Sequence, residues 1–453
     1  MKNKKTNNSV TLTQGPILHS LTALALPIMA SSFLSTIYSI TDMAWIGLLG
    51  SKAVAGVGVG GMYVWLSQGL ATLPRMGGQV YAAQKLGSGN YKEAREYARN
   101  SLQMTFVLGL LFCIISLLFT KELVGFFHLD DAEAYDSALI YTRIACGMIL
   151  FAFLNITLTG LYTAQGDSKT PFVANLIGLI INMILDPVLI LGIGFFPKAG
   201  VAGAAIATVT AQFIVFLVMA IQIIRSDSEQ NIFKNMRLFH APSLSHITSI
   251  CRMGGPSSIQ SMAYCMISMV ITRMVSSFGA DAIATQRVGG QIESVSWNTA
   301  DGFAAALNAF IGQNYGAGHM DRVRKGYRIS IITMALWGLL ITFIFILFPA
   351  PIARIFFHEA NAVTTAMGYL IITGFSETFL CIEITTVGAL SGLGMTKLCS
   401  IISITITASR IPLALILKST ALGLNGIWWA LTLTSIIKGV LFYLAFRYHA
   451  KRL

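Results

Sequence analysis

The sequence predicts an all-α integral membrane protein of twelve transmembrane helices, arranged as two pseudo-symmetric six-helix bundles. Three observations carry that expectation. Charged residues make up 11% of the chain against 55% hydrophobic residues, and the mean hydropathy is +0.70. A soluble protein carries about 25% charged residues to wet its surface, so most of this surface faces lipid. The apolar residues gather into runs of about the 20 residues that one helical crossing needs. Landmarks of the first half of the chain also recur in the second at a fixed offset.

In order, residues 1–16 form a polar tail carrying Lys2, Lys4 and Lys5. The next run has no small-residue cleavage site behind a short apolar stretch, so it is a first span and not a removed signal peptide. Apolar runs place spans at 17–46, 54–82, 98–119, 137–163, 171–195 and 201–224, a first lobe over 17–224. A polar linker covers 225–246. Spans at 248–277, 283–312, 327–350, 362–389, 396–418 and 424–447 build a second lobe over 247–448, with a tail at 449–453.

Alternate breaks collect the cations: Lys85, Lys92, Arg95 and Arg99; Lys169; Arg225, Lys234 and Arg237; Arg322, Arg324, Lys325 and Arg328; Lys397; Arg447, Lys451 and Arg452. The opposite breaks hold Lys52, Lys121, Lys198, Arg354 and Lys418, with the acids Asp130, Asp131, Glu133 and Asp136. Lys and Arg favour cytoplasmic loops. A multi-pass protein of the cytoplasmic (inner) membrane is expected, with both termini in the cytoplasm.

Gly87-x-Gly89 and Gly316-x-Gly318 are separated by 316 − 87 = 229 residues. The same ungapped offset pairs Pro27 with Pro256, Gly50 with Gly279, Gly60-Gly61 with Gly289-Gly290, Gln84 with Gln313, Arg95 with Arg324 and Arg99 with Arg328. Further on, Gly166-Asp-Ser-Lys169 faces Gly394-Met-Thr-Lys397, and Gly200-Val-Ala-Gly203 faces Gly423-Leu-Asn-Gly426. A repeat of six spans keeps the same topology in both halves, which makes them parallel repeats.

Several function classes drop out. The net charge of +12 does not indicate nucleic acid, because the basic residues lie in short clusters between apolar runs. Cys113, Cys146, Cys251, Cys265, Cys381 and Cys399 form no CxxC pair and read as small packing residues. The seven histidines are scattered without HExxH spacing, so neither a metal centre nor another cofactor is expected. Gly58-Val-Gly60-Gly61 follows no strand and serves close helix packing. An intramembrane enzyme would need a nucleophile–base pair or ligating histidines within spans, and none is found.

Ionisable groups inside spans cost about 2.5–3.5 kcal/mol each at the membrane centre and so mark function or internal pairing. Asp42 in the first span shares a helix face with Tyr38, one turn earlier. Asn182 and Asp186 share a face of the fifth span, and Pro187 leaves the Met183 carbonyl without its helical partner. Carboxylate, amide and carbonyl together make an oxygen-rich pocket for a proton or Na⁺. In the second half, Gln291, Glu293 and Asp301 fall in the eighth span, and Glu377 and Glu383, on different faces, in the tenth. These acids are read either as substrate contacts in the cleft, with Tyr38, or as partners of Arg273, Arg287 or Arg410. The repeat aligns Asp42 with Ile271, so coupling is placed in the first half.

The motifs Gly166-Asp-Ser-Lys-Thr-Pro171, Asn182-x3-Asp186-Pro187, Gly200-Val-x-Gly203-Ala-Ala-x-Ala-Thr208 and Gly312-Gln-Asn-Tyr-Gly-Ala-Gly318 resemble those of the multidrug and toxic compound extrusion (MATE) transporters. The resemblance covers nearly the whole chain. It implies two lobes around a V-shaped central cleft, and antiport of organic, mostly cationic and amphipathic compounds against H⁺ or Na⁺ by a functional monomer. The resemblance to the DinF-like branch implies a coupling site at Asp42, Tyr141, Asn155, Asn182, Asp186 and Thr208, with Na⁺, if that is the ion, at Asp42, Asn182 and Asp186. The NorM-like branch has a glutamate about nine residues after the proline of helix 7. Here Pro256 is followed by Tyr264 and Cys265, which argues against that second-lobe Na⁺ site. The competing reading is a flippase for a lipid-linked precursor, which would need a cationic cavity.

Overall fold

The computed structural model describes residues 10–129, 131–194, 197–225, 231–234, 236, 238, 240–357 and 359–450. Of the residues singled out above, Lys2, Lys4, Lys5, Asp130, Arg237, Lys451 and Arg452 lie outside them. The first half contains α1 (Ile17–Gly47), α2 (Ser51–Gly87), α3 (Tyr91–Leu118), α4 (Thr120–Gly125), α5 (Ala132–Ala145), α6 (Leu150–Ala164), α7 (Lys169–Leu191) and α8 (Gly200–Arg225). The second contains α9 (Leu244–Ser276), α10 (Ala280–Gly316), α11 (Met320–Leu347), α12 (Pro349–Phe356), α13 (Ala360–Gly374), α14 (Glu377–Gly392), α15 (Thr396–Ala408), α16 (Arg410–Lys418) and α17 (Leu424–Ala450).

Seven segments are long and apolar enough to cross a membrane alone, one of them the α15–α16 run, and two bent helix pairs raise the number to nine. The other three expected crossings, α2, α9 and α10, are 37, 33 and 37 residues long, but glycines and polar side chains dilute them. The bent pairs depart from the straight spans expected at 137–163 and 362–389. α5 meets α6 at 51° and α13 meets α14 at 49°. At the first bend Gly147 lets the Arg143 carbonyl occupy the place of a Cβ. At the second, Ser376 Oγ donates to the Thr373 carbonyl at 2.8 Å, satisfying an acceptor that the broken helix leaves open.

Side-chain caps set several starts. Asn90 accepts from Glu93 N at α3, and Asp131 accepts from Glu133 N and Ala134 N at α5. Asp167 accepts from both the backbone and the hydroxyl of Thr170, at 3.0 and 2.7 Å, to open α7. Each replaces an orphan donor's lost partner.

The repeat reappears as geometry. α2 and α10 begin 280 − 51 = 229 residues apart and end 316 − 87 = 229 apart; α3 and α11 do the same, at 320 − 91 and 347 − 118. Gly89 and Gly318 both have φ 75°, and Gly200 and Gly423 both have φ 53°, a left-handed conformation that favours glycine. A side chain on Gly60 would strike the Tyr141 ring, and one on Gly289 would strike Tyr369.

Two compact units result. Unit 1 is Ala30–Ser258 with Val10 and Thr11; unit 2 is Leu12–Met29 with the chain from Ile259 onward. Each of α1 and α9 is therefore divided between the two units. Within unit 1, α7 packs on α8, and α2 on α3, α5 and α6. Within unit 2, α14 packs on α10, α11 and α17, and α16 on α17.

Candidate functional site

Unit 1 brings the expected coupling residues to one region of α1, α5, α6, α7 and α8. The final turns of α1 are anchored by Ile46, fully buried against Ile190, Val201, Ala204 and Ala205. One helical stretch earlier, Tyr38 Oη and Thr208 Oγ1 share a hydrogen bond of 3.0 Å, tying α1 to α8. Asp42 follows one turn after Tyr38 on the same face.

On α7, Asn182 and Asp186 are 1% and 0% exposed. With the amide turned so that donors meet acceptors, Asn182 Nδ2 donates to Asp186 Oδ2 at 2.7 Å and its oxygen accepts from Thr208 N at 3.2 Å. The charges of Asp42 and Asp186 reach each other and the hydroxyls of Tyr38 and Tyr141. Asn155, on α6, donates to both the carbonyl and Oε1 of Gln212 at 2.8 Å. Gln212 lies one turn beyond Thr208 on α8, which brings Asn155 onto the same wall.

Three buried acceptors in this group have no hydrogen-bond partner: Asp42 Oδ1, Asp186 Oδ1 and Asn155 Oδ1. Neither Asp42 nor Asp186 forms an ion pair among the described residues. Buried charge of this kind requires compensation. A proton, or a small cation with an oxygen ligand set, supplies it.

The second-half acids are placed differently. Glu293 is hydrogen-bonded to Tyr369 and Thr373, and Glu377 to Ser296. Glu383 Oε1 pairs with Lys438 Nζ at 2.7 Å, whereas the sequence reading offers Arg273, Arg287 or Arg410 as partners. Arg273 and Arg287 are exposed. Arg410 is buried and donates to Thr434 and Ser435 at 2.9 and 3.0 Å. Gln291 and Asp301 are exposed on α10.

Sequence reasoning missed Lys438 and Gln212. The signal for Lys438 is plain in retrospect: one lysine in the middle of the apolar run 424–447. The repeat sharpens the contrast between units. Tyr141 corresponds to Tyr369, Asn155 to Glu383 and Asn182 to Arg410, each 228 residues on (369 − 141, 383 − 155, 410 − 182). Unit 2 supplies its own cations where unit 1 supplies amides.

A sequence profile of the MatE family matches residues 27–188 and 256–416. A probable multidrug resistance protein NorM from Thermotoga maritima is 29% identical over 440 residues, 95% of this chain and 92% of that protein. An FAD transporter from Shewanella oneidensis is 26% identical, covering 96% of both. Among solved structures, a MATE family transporter of the MOP superfamily in an outward-facing conformation superposes with a TM-score of 0.90 at 22% identity over 99% of both chains.

Proposed function

The chain belongs to the MatE family of membrane transporters, and from that premise we propose a secondary multidrug exporter coupled to H⁺ or Na⁺ through unit 1. Its substrates are organic, mostly cationic and amphipathic compounds, exchanged by alternating access. The observation that carries this reading is the Asp42–Asp186 pair: interacting buried carboxyls, each with an open oxygen and neither with a Lys or Arg partner. Such a pair holds its place in a membrane by taking up an external positive charge.

Binding must also do mechanical work on the equilibrium between states. Asp42 and Tyr38 sit on α1, Asp186 on α7 and Thr208 on α8. A cation held between the two carboxyls favours the arrangement in which α1 lies against α8 through the Tyr38–Thr208 bond. The ion shifts the cycle only by its difference in affinity between states. The multidrug names among the relatives support the substrate class, and the Shewanella FAD transporter makes FAD a necessary comparison substrate. A flippase is less well supported, because the buried cations of unit 2 are committed to Glu383, Thr434 and Ser435.

The test is uptake of a fluorescent organic cation by proteoliposomes under an imposed proton or Na⁺ gradient. Asp42→Asn and Asp186→Asn should each abolish the response to the gradient. Wild-type exchange rates in both variants under either gradient would sink the coupling site.

A further inference from the structure

Unit 2 contains a second group of buried ionisable side chains that the coupling site does not use. Three carboxyls, Glu293, Glu377 and Glu383, lie with two cations, Lys438 and Arg410. Glu383 and Lys438 neutralise each other at 2.7 Å. The Arg410 charge reaches Glu293 and Lys438. Glu377 is 1% exposed, and the cation nearest in this network serves Glu293 instead. Fully ionised, the group has one negative charge left over.

The other groups facing it are neutral hydroxyls and thiols: Tyr369 on α13, with Tyr264 of α9 beside it; Cys381 on α14, in contact with Ser296; and Tyr327 on α11, bonded to Thr386. None supplies the missing positive charge.

The hydrogen bonds say where a proton resides. Thr373 Oγ1 lies 3.1 Å from the Tyr369 carbonyl, which can only accept, so the single hydroxyl proton of Thr373 is spent there. Thr373 is also bonded to Glu293, and in that bond it is left as acceptor. The donor is then the carboxyl. Glu293 Oε1 has no partner, so the other oxygen accepts from Tyr369 and donates to Thr373, as the hydroxyl of a carboxylic acid does.

We propose that the Glu293–Glu377 pair keeps one proton, held on the Glu293 oxygen facing Thr373, so that unit 2 has a protonatable centre of its own. This centre is separate from Asp42 and Asp186, and it brings the buried group to neutrality. Glu377 Oε2, buried and unpartnered, is the acceptor to which the proton can pass.

Infrared spectroscopy of the full-length protein in lipid at neutral pH tests this through the carbonyl stretch of protonated carboxyls. In an Asp42→Asn/Asp186→Asn background, which silences the proposed unit 1 site, the band should persist. Adding Glu293→Gln should remove it. Glu377→Gln should move its titration midpoint by about one pH unit or more, the interaction expected of a coupled pair. Thr373→Val should leave the intensity but displace the frequency, because the acid loses its acceptor. Absence of the band in the double-Asn background overturns the proposal, as does a band unchanged by Glu293→Gln in monodisperse, helical protein. Should Glu293→Gln fail to fold, an unmoved band in Thr373→Val overturns it. The transport assay on Asp42 and Asp186 fails or succeeds independently of all these outcomes.

Discussion

Lys438 Nζ lies 2.7 Å from Glu383 Oε1, and the two side chains are only 5% and 9% exposed. Removing one partner leaves a buried charge without compensation, at a cost of about 3–5 kcal/mol. Lys438→Met should therefore lower the thermal unfolding midpoint in detergent sharply. The double variant Lys438→Met/Glu383→Gln should recover most of the loss. A double variant no better than the single would show that the pair is not the interaction that matters.

The Tyr38–Thr208 hydrogen bond should contribute about 0.5–1.5 kcal/mol. Tyr38→Phe and Thr208→Val are expected to be non-additive by that amount in a double-mutant cycle on stability. Additive losses would mean that α1 is held against α8 by packing alone.

Two glycines of α2 separate packing from composition. A Cβ at Gly60 would lie 2.5 Å from the Tyr141 ring, whereas at Gly58 nothing lies within 4 Å. Gly60→Ala should cost about 1–3 kcal/mol by overpacking and disturb the coupling response by displacing Tyr141. Gly58→Ala should be tolerated. Equal behaviour of the two variants, in thermal stability and in gradient-driven uptake, would contradict this.

Outside the spans, Lys52 Nζ bridges Asp131 at 2.9 Å and Glu133 at 3.3 Å. The hydrogen bond from Lys52, then that from Ala134 N, holds the Asp131 carboxyl below its usual range. A carboxyl depressed in the folded state contributes stability above its unfolded pKa of about 3.9, and the contribution is lost as pH falls through the folded value. Carbon NMR of labelled aspartate should show the Asp131 midpoint rising towards the ordinary value in Lys52→Gln. High salt should produce part of the same rise, because the pair is exposed.

Much of this architecture is legible in the chain because a membrane restricts the vocabulary to helices. The offset of 229 locates α2, α3, α10 and α11 to the residue, since duplicated sequence carries duplicated ends. The kinks at Gly147 and Ser376 are not legible, because an apolar run has the same hydropathy straight or bent. Asp42, Asn182 and Asp186 stand out as costly groups in apolar surroundings, and helical spacing alone pairs Asn182 with Asp186. Gln212 does not stand out, since its role depends on Asn155 from another helix, 57 residues away in sequence. Lys438 was hidden by counting cations as loop markers, the habit that the positive-inside rule encourages.

The division of α1 and α9 between the compact units has a consequence for biosynthesis. Leu12–Met29 leaves the ribosome early, yet the rest of its unit begins at Ile259. Unit 1, for its part, is incomplete until Leu244–Ser258 has been made. Domains usually fold one after another as they emerge. Here the nascent amino-terminal helix must wait in the bilayer for partners synthesised more than two hundred residues later, so maturation is a single late event for the whole chain.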